Sequence, residues 1–255
     1  MKPKAEAVAQ TRWPETEIQR LKSELEATNQ ILKAFSYSVS HDLRAPLRHI
    51  AGYVYILQSS ASPMLDQTAR KHLRTVAQSA ERLDQMLEAL LDWFRAGSAP
   101  MEWRSVSISG LAEDARRKLH HEIKDRPIDW RLGDLPDAWG DPARLHEVVG
   151  NLLSNAIKFT RDRSKPRIEM GTISGEGETI YFVRDNGVGF DMDRAGQLFG
   201  VFQRLHAAGE YEGVGVGLAK VRLLVNQLGG RTWAEAKKGA GATFYFSIPD
   251  PSEGA

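Results

Sequence analysis

Residues 141–160 read DPARLHEVVGNLLSNAIKFT and decide the fold of the second half of the chain. Asp141 followed by Pro142 is typical of a helix start, because an aspartate caps the first turn and proline is tolerated at the first helical position. The apolar residues that follow recur at helical spacing. The stretch therefore predicts an amphipathic helix over 142–159.

This predicted helix has a polar face. Asn151, Asn155 and Lys158 are spaced i, i+4 and i+7, which places two amides and an ammonium on one side. One interpretation is an ordinary solvated face. The other is a face for a metal and phosphates, because an amide oxygen is a hard ligand that suits Mg²⁺ and a lysine attracts phosphate oxygens.

Strand and helix patterns alternate on both sides of this helix. Strands are predicted over 106–108, 128–132, 167–173, 179–184, 232–236 and 242–248, and further helices over 111–123 and 218–228. Such an alternation predicts an α+β layer domain over residues 103–250, with 251–255 as a tail.

The N-terminal part carries two long apolar stripes. Residues 1–14 lack a pattern, and we expect them to fray. From Ile18 to Val39 the apolar positions follow a three-four spacing, typical of a coiled coil over 15–39. The stripe continues to a breaker at 59–63, and a second one runs over 69–94.

Two such helices form an antiparallel hairpin, which cannot bury both stripes by itself. The sequence therefore predicts that residues 35–97 pair with a second copy into a dimeric four-helix bundle, and that 98–102 are a linker.

Two glycine-rich segments lie in the second half. Asp185 ends a strand and is followed by Gly187 and Gly189, where a tight turn lets a ligand approach the backbone. Its carboxylate can accept a hydrogen bond from an exocyclic amine such as that of adenine. The second segment contains Gly213, Gly215 and Gly217 and opens a helix at Leu218, which directs backbone N–H groups toward a phosphate site.

His41 interrupts the apolar stripe of the first helix and should face solvent. A surface histidine usually has no role. Here Asp42 follows at once, and a carboxylate that accepts from one ring nitrogen raises the nucleophilicity of the other. Pro46 lies one turn later, where it removes a backbone hydrogen bond and kinks the helix.

Composition excludes several classes of protein. The 34 basic and 33 acidic residues give a net charge of +1, so no polybasic surface for nucleic acid is expected. The absence of cysteine excludes a disulfide scaffold and a thiolate zinc site. No apolar run is long enough for a membrane span or a secretory signal, so we expect a cytoplasmic location.

Five segments together resemble the motifs of sensor histidine kinases. Residues 40–47 resemble the phosphoacceptor box, 151–160 the N box, 185–189 and 213–218 the two glycine boxes, and 199–202 the F box. They occur in the family's order, and within the family they most resemble the output modules of phytochrome-like and PAS-linked kinases. The resemblance implies an α/β sandwich ATP-binding domain of the kind shared with gyrase and heat-shock chaperones, joined to the hairpin.

The resemblance also implies roles for particular residues. His41 would be phosphorylated and Asp42 would orient it. Asn155 would bind Mg²⁺, supported by Asn151 and Lys158.

For the rest of the ATP site, Asp185 would bind adenine, with Thr243 sharing a water. The glycines of both boxes and Leu218 would complete the nucleotide site, residues 203–212 would form a mobile lid, and Arg204 would neutralise the transferred phosphate.

One residue departs from the family pattern. Kinases that also dephosphorylate their partner usually carry Thr or Asn four residues after the histidine, where a polar side chain positions a water, and this sequence has Ala45. We therefore expect weak phosphatase activity.

Two other functions stay open. An ATP hydrolase of the same superfamily would need a Glu in place of Asn151, and a non-catalytic dimeric scaffold would not need these motifs intact.

The resemblance implies three partners. They are a second copy of the chain, a receiver domain of a response regulator that offers an Asp to phosphorylated His41, and an upstream sensor that the chain does not encode. Whether His41 receives phosphate from its own subunit or from the other depends on the turn near 59–64, whose handedness the sequence does not fix.

Overall fold

The computed structural model of the chain describes residues 15–60, 64–97, 100–123, 126–206 and 210–251. The predicted frayed segment 1–14 lies outside these residues, as do 61–63 of the breaker, 98–99 of the linker and 252–255 of the tail.

The N-terminal region is a hairpin of two long helices, α1 (Glu15–Ser60) and α2 (Gln67–Ala96). Helix α1 is continuous through Pro46. The side chain of Asp66 accepts a hydrogen bond from the Ala69 amide at 2.6 Å and so caps the start of α2. Arg44 on α1 and Asp84 on α2 form an ion pair at 3.3 Å across the hairpin.

The second region combines strands and helices. Its elements are β1 (Arg104–Val106), α3 (Ile108–Ile123), β2 (Asp129–Leu132), β3 (Ala138–Gly140), α4 (Pro142–Phe159), β4 (Arg167–Ser174), β5 (Glu178–Asp185), α5 (Gly217–Gln227), β6 (Thr232–Lys237) and β7 (Gly241–Pro249). Five strands form one sheet in the order β2-β4-β5-β7-β6, and β1 pairs with β3 separately. Only β2 and β4 are parallel within that sheet.

The core lies between the sheet and the helix layer. Leu145, Leu152 and Leu153 of α4 are fully buried, and Tyr181 of β5 stacks on Phe246 of β7 with ring centres 5.0 Å apart. This two-layer arrangement behind a helical hairpin confirms the predicted fold class.

Asp141 caps α4 as predicted. One carboxylate oxygen accepts from the Arg144 amide at 3.0 Å, and the other accepts from the Glu102 amide at 2.8 Å. The cap thereby also connects α4 to the segment that leads into β1, and it fixes where the polar face of the helix begins.

The structure corrects the strand predicted over 106–108. Ile108 is the first residue of α3 and is completely buried. The reason is Ser107, whose hydroxyl accepts from the Gly110 amide at 3.2 Å and whose carbonyl accepts from the Leu111 amide at 3.1 Å. A serine in this position starts a helix. The strand instead covers Arg104–Val106.

Two further elements were not predicted. Strand β3 is only three residues long, and it pairs antiparallel with β1. A short 3₁₀ helix covers Met192–Gln197, between the two glycine-rich segments. No helix within the described ranges is long and apolar enough to cross a membrane.

Candidate functional site

A cleft of about 1520 Å³ lies between α2 of the hairpin and the helix layer of the second region. Most of the predicted nucleotide-site residues line it: Asn151, Asn155, Lys158, Asp185, Gly189, Arg204, Gly213, Gly215, Gly217 and Leu218. Gly187 and Thr243 are not among its lining residues. The topology thus brings the polar face of α4, the end of β5 and the start of α5 to one place.

A hydrogen bond within α4 fixes the first amide of its polar face. The Asn151 amide donates to the Glu147 carbonyl at 2.8 Å, and its oxygen lies 3.0 Å from the point where a side chain at Gly217 would begin. Asn155, one turn later, lines the cleft, and its side chain has no hydrogen-bond partner among the described residues, so its amide oxygen is available to a ligand.

Lys158 supplies a cation at the end of this face. Burial lowers the pKa of its ammonium, the nearby Arg204 guanidinium lowers it further, and the Glu212 carboxylate acts in the opposite direction. Its Nζ atom lies 4.5 Å from the centre of the Phe159 ring. A partly desolvated cation of this kind interacts strongly with an anion that enters the cleft.

Asp185 is the buried acceptor of the site, and only 4% of its surface is exposed. Its Oδ1 accepts from the Gly187 amide at 2.7 Å, and its Oδ2 is buried without a partner among the described residues. Burial raises the pKa of this carboxyl to about 6, although the Gly187 and Ala242 amides and the Arg163 cation oppose the shift. A ligand N–H would satisfy the second oxygen.

Two glycines are required by the local backbone. Gly189 has φ +58°, and a Cβ there would lie 2.2 Å from the Lys237 carbonyl oxygen. Gly215 has φ +81°, and a Cβ there would lie 2.7 Å from the Gln203 carbonyl oxygen. Any side chain at either position would displace the neighbouring backbone.

The other predicted glycines have distinct places. Gly187 does not line the cleft, and its carbonyl accepts a hydrogen bond from Arg163. Gly213 approaches the Lys158 ammonium, which lies 3.6 Å from the point where a side chain would begin. Gly217 and Leu218 are the first two residues of α5. The N-terminal amides of that helix therefore lie at the cleft.

The structure contradicts the predicted position of Thr243 beside Asp185. In the β5–β7 ladder Asp185 is opposite Ala242, and Thr243 is opposite Arg184. Neighbouring residues of a strand point to opposite faces of the sheet, so the Thr243 side chain lies on the face away from Asp185. Its hydroxyl accepts from the Arg184 Nε atom at 3.3 Å.

The predicted lid, 203–212, has described residues on both sides of 207–209, which lie outside the described ranges. Arg204 donates to the Tyr211 carbonyl. Tyr211 donates to Asp162 at 3.2 Å, and Arg161 donates to the Glu210 carbonyl at 2.8 Å. The two ends are therefore tied to each other and to the segment that follows α4.

Aromatic rings support the same segment. The rings of Phe159, His206 and Tyr211 lie within 5.1 to 5.4 Å of one another. Burial lowers the pKa of His206, and the neighbouring cations Lys158, Arg194 and Arg204 lower it further against the effect of Glu210. We expect His206 to be neutral at pH 7 and to act mainly as an aromatic wall of the cleft.

An ion pair that includes one residue of the cleft was not predicted from the sequence. Lys220 on α5 and Glu147 on α4 are 2.7 Å apart, and Lys220 lines the cleft. Glu147 lies four residues before Asn151, so helical spacing places it on the same face of α4 as Asn151 and Asn155. Lys220 follows Gly217 by three residues and so lies in the first turn of α5.

The structure exposes His41, as the interrupted stripe predicted. Its side chain is 76% exposed and that of Asp42 is 74% exposed. His41 Nδ1 lies 3.2 Å from an Asp42 carboxylate oxygen. Because an ionised carboxylate only accepts, this contact favours the tautomer of a neutral imidazole that carries its proton on Nδ1 and a lone pair on Nε2. Ser40, by contrast, is buried.

His41 is not among the residues that line the cleft. The hairpin wall of the cleft is formed by α2, through Gln78, Glu81, Arg82, Gln85, Ala89 and Asp92. The exposed imidazole and the cleft are thus separate parts of this chain.

The available donors suit Mg²⁺ better than a transition metal. Within the described residues no group of three or more His, Cys, Asp or Glu side chains converges on one point. The cleft offers the free amide oxygen of Asn155 instead. A hard cation that takes its remaining ligands from phosphate oxygens and water fits such a donor set.

The helical hairpin carries an exposed imidazole, and the α/β sandwich carries a helix face with two amides and a buried carboxyl acceptor. Together they define a class of proteins built from a histidine-bearing hairpin and a ligand-binding sandwich. Family models identify both parts. Residues 31–99 match the His Kinase A (phospho-acceptor) domain, and residues 140–252 match the histidine kinase-, DNA gyrase B- and HSP90-like ATPase domain. The chain belongs to the histidine kinase family.

Curated relatives agree with this assignment. Cyanobacterial phytochrome A of Nostoc sp. is 32% identical over 233 residues, which cover 91% of this chain and 30% of that protein. The methanogenesis regulatory histidine kinase FilI of Methanothrix harundinacea is 35% identical over 236 residues, covering 92% of this chain and 26% of that protein. The chain therefore spans less than a third of either relative.

Solved structures share the fold. Full-length ShkA in complex with AMPPNP superimposes with a TM-score of 0.58 at 24% identity, covering 84% of this chain and 45% of that chain. The histidine kinase AdeS of Acinetobacter baumannii gives a TM-score of 0.55 at 18% identity, covering 82% and 97%. Both similarities extend over hairpin and sandwich together.

Proposed function

We propose that this chain is the kinase module of a two-component sensor, which transfers the γ-phosphoryl group of ATP to His41 and then to an aspartate of a receiver domain. One observation carries the proposal. A single cleft combines the unpartnered Asp185 oxygen, the free Asn155 amide, the Lys158 cation and the glycine-rich start of α5. These groups match an exocyclic amine at one end of a nucleotide and phosphates at the other.

The adenine end would lie at Asp185, whose buried carboxylate accepts from the exocyclic amine. The phosphates would lie toward Lys158 and the N-terminal amides of α5, with Arg204 as a further cation. Asn155 would hold Mg²⁺, and Asn151 and Lys158 would support it. When bound, Mg²⁺ would neutralise phosphate charge and so lower the barrier to transfer.

The nucleophile would be His41 Nε2. Its lone pair attacks the γ-phosphorus, an N–P bond forms, and the bond to the bridging oxygen breaks as ADP leaves. The Nδ1 proton passes to Asp42, which removes the positive charge that builds up on the ring. A receiver aspartate then attacks the same phosphorus, the N–P bond breaks, and the proton returns from Asp42 to Nδ1, which restores the neutral imidazole. Phosphoryl transfer mainly requires positioning and charge neutralisation, which these groups supply.

Dimerisation belongs to the same proposal. Several large apolar side chains of the hairpin are exposed in a single chain, including Leu32 at 46%, Leu43 at 47% and Leu83 at 48%. Pairing of two hairpins over 35–97 would bury Leu43 and Leu83 in a four-helix bundle, and a coiled coil over 15–39, which includes Leu32, would connect the bundle to an upstream sensor. A linker at 98–102 would join the bundle to the catalytic domain at 103–250.

Weak phosphatase activity is also proposed, because Ala45 offers no polar side chain to position a hydrolytic water. The measurement is the rate at which the chain with ADP removes phosphate from a phosphorylated receiver. An Ala45→Thr variant should accelerate that loss. Rapid loss with the unmodified chain would contradict this part of the proposal.

Incubation with γ-labelled ATP and Mg²⁺ tests the central activity. We expect acid-labile label on the unmodified chain and none on His41→Gln, which should still bind ATP because His41 lies outside the cleft. Asn155→Asp should lose both label and tight ATP binding, since it alters the metal ligand. Label that persists on His41→Gln would refute the assignment of the nucleophile.

The same assay separates the alternatives. Release of free phosphate without labelled protein would indicate a hydrolase, which the amide of Asn151 disfavours because an amide cannot act as a base. Neither label nor phosphate would indicate a scaffold. Mixing His41→Gln with Asn155→Asp chains distinguishes transfer within a subunit from transfer between subunits, since only the latter restores label in the mixed dimer.

A further inference from the structure

We propose that Arg163 is a positioning residue for nucleotide recognition, which holds the Asp185 turn in the geometry that accepts the adenine amine. The inference deepens the proposed function and rests on it. Arg163 lies in the segment that connects α4 to β4, outside the predicted motifs and outside the lining of the cleft. It would therefore act through Asp185 without touching the nucleotide.

Hydrogen bonds connect Arg163 to Asp185 through one intervening residue. Arg163 Nη2 donates to the Gly187 carbonyl at 2.8 Å. The amide of the same glycine donates to Asp185 Oδ1 at 2.7 Å. The guanidinium thus fixes the peptide unit that follows Gly187, while the Gly187 N–H fixes one carboxylate oxygen. With Oδ1 occupied, Oδ2 is the oxygen left for a ligand.

The same guanidinium nitrogen reaches a second turn. Arg163 Nη2 also donates to the carbonyl of Gly239, in the turn between β6 and β7, at 2.5 Å. The Gly239 amide in turn donates to the Val188 carbonyl at 2.6 Å. Arg163, the β6–β7 turn and the 187–188 backbone therefore form a closed ring of hydrogen bonds around the Asp185 turn.

This ring is connected to the helix that carries the proposed metal ligand. The Val188 amide donates to the carbonyl of Phe159, the last residue of α4, at 3.2 Å. Because Arg163 follows α4 closely in sequence, the ring sets the position of Asp185 relative to Asn155 on the same helix. Recognition of adenine at one end and of phosphate at the other requires this distance to be correct.

Charge supports the same role. Arg163 forms no ion pair with a carboxylate among the described residues, and its Nε is buried without a partner there. The acceptors of Arg163 are the neutral carbonyls of Gly187 and Gly239. Its positive charge is therefore not neutralised by a described carboxylate, and it stabilises negative charge on neighbouring groups. Burial raises the pKa of Asp185, and Arg163 is the cation that opposes this shift. Arg163 thereby favours the ionised carboxylate, the form that only accepts.

Binding of two nucleotides to the full-length chain tests the inference. One is ATP, and the other is purine riboside triphosphate, which lacks the exocyclic amine. We expect Arg163→Gln to weaken ATP binding about tenfold, the size of one strong hydrogen bond, and to leave the affinity for the analogue unchanged. Arg163→Lys keeps the charge and should recover part of the loss. Lys165→Met, in the same segment, should change neither affinity.

Asp185→Asn separates this inference from the proposed function. If Asp185 binds the amine, the variant should lose the preference for ATP over the analogue; an unchanged preference would overturn the adenine site itself. If Asp185→Asn loses the preference but Arg163→Gln keeps it, or weakens both nucleotides equally, Arg163 has no positioning role. Should Arg163→Gln fail to fold, the same ratio measured with Arg163→Lys decides.

Discussion

The hairpin and the sandwich place their reactive groups in opposite environments. The His41 side chain is 76% exposed on α1, whereas Asp185 at the end of β5 is 4% exposed. In the proposed function His41 must meet a nucleotide and then a receiver domain, which requires a side chain that is reachable from outside. A group that discriminates one base has to exclude water, because a solvated carboxylate exchanges one hydrogen bond for another at little gain.

The two regions also differ in how complete their cores are. Leu152 of α4 is 1% exposed, and Leu83 of α2 is 48% exposed. The sandwich buries its apolar residues within one chain. The hairpin leaves much of its apolar surface uncovered, so its stability should depend on a second copy. This contrast leads to the prediction with the largest expected effect on stability.

Leu152→Ala should lower the unfolding free energy of the sandwich by about 2–5 kcal/mol, because it opens a cavity in a packed core. Leu83→Ala should cost less than about 1 kcal/mol in a dilute single chain and should mainly weaken self-association. Chemical denaturation at two protein concentrations, with sedimentation to measure the dimer, checks both. An equally large and concentration-independent loss for Leu83→Ala would show that the hairpin is complete alone.

The second prediction concerns the buried carboxyl. Asp185 has its pKa raised to about 6, so the folded chain binds this proton more tightly than the unfolded chain does. Its contribution to stability should therefore fall as pH rises from about 4 through 6. ATP affinity should change in the opposite direction and decrease up to about tenfold per pH unit below 6, since the amine requires the ionised form.

Titrations of ATP binding and of unfolding between pH 4.5 and 8 provide the measurement. Asp185→Asn should flatten the ATP titration through pH 6, while variants of exposed carboxylates such as Asp193 should not. A pH dependence of binding that is identical with and without Asp185 would mean that another group, such as His206, controls it.

The smallest expected effect concerns the two lysines of the cleft. Lys158→Met should weaken ATP binding about tenfold, since it removes a partly desolvated cation. Lys220→Met should weaken it only about threefold, because Lys220 already pairs with Glu147 and must exchange one anion for another. Calorimetric titration of both variants tests this order. Equal losses would indicate that the Lys220–Glu147 pair opens fully when nucleotide binds.

Local patterns were sufficient to predict most of the fold. The Asp141–Pro142 start of α4, the stripe interrupted at His41 and the alternation over β4 and β5 depend on neighbours in sequence, and the structure agrees with them. Strand β3 was not predicted, because three residues are too few for the alternation of apolar and polar side chains in a strand to be recognised.

The positions of site residues could be predicted from the sequence only where they depend on a single helix or strand. Thr243 was misplaced because the residue opposite Asp185 depends on the register of β5 with β7, and a shift of one residue changes the face. Arg163 and the α2 wall of the cleft act across long separations in sequence. Arg163 reaches Gly239 across 76 positions, and no periodicity encodes such a contact.

The junction between the two regions has a mechanical consequence. Gln227 at the end of α5 donates to the Gly97 carbonyl at 2.9 Å, next to the last turn of α2. The contact lies close to the chain connection, and Gln78, at the far end of the cleft wall, lies about 28 Å along α2 from it. A tilt of α2 by about 5° about this contact would displace that end by about 2.4 Å and leave Asp92 almost in place. Such a tilt would change the width of the cleft mainly at its far end.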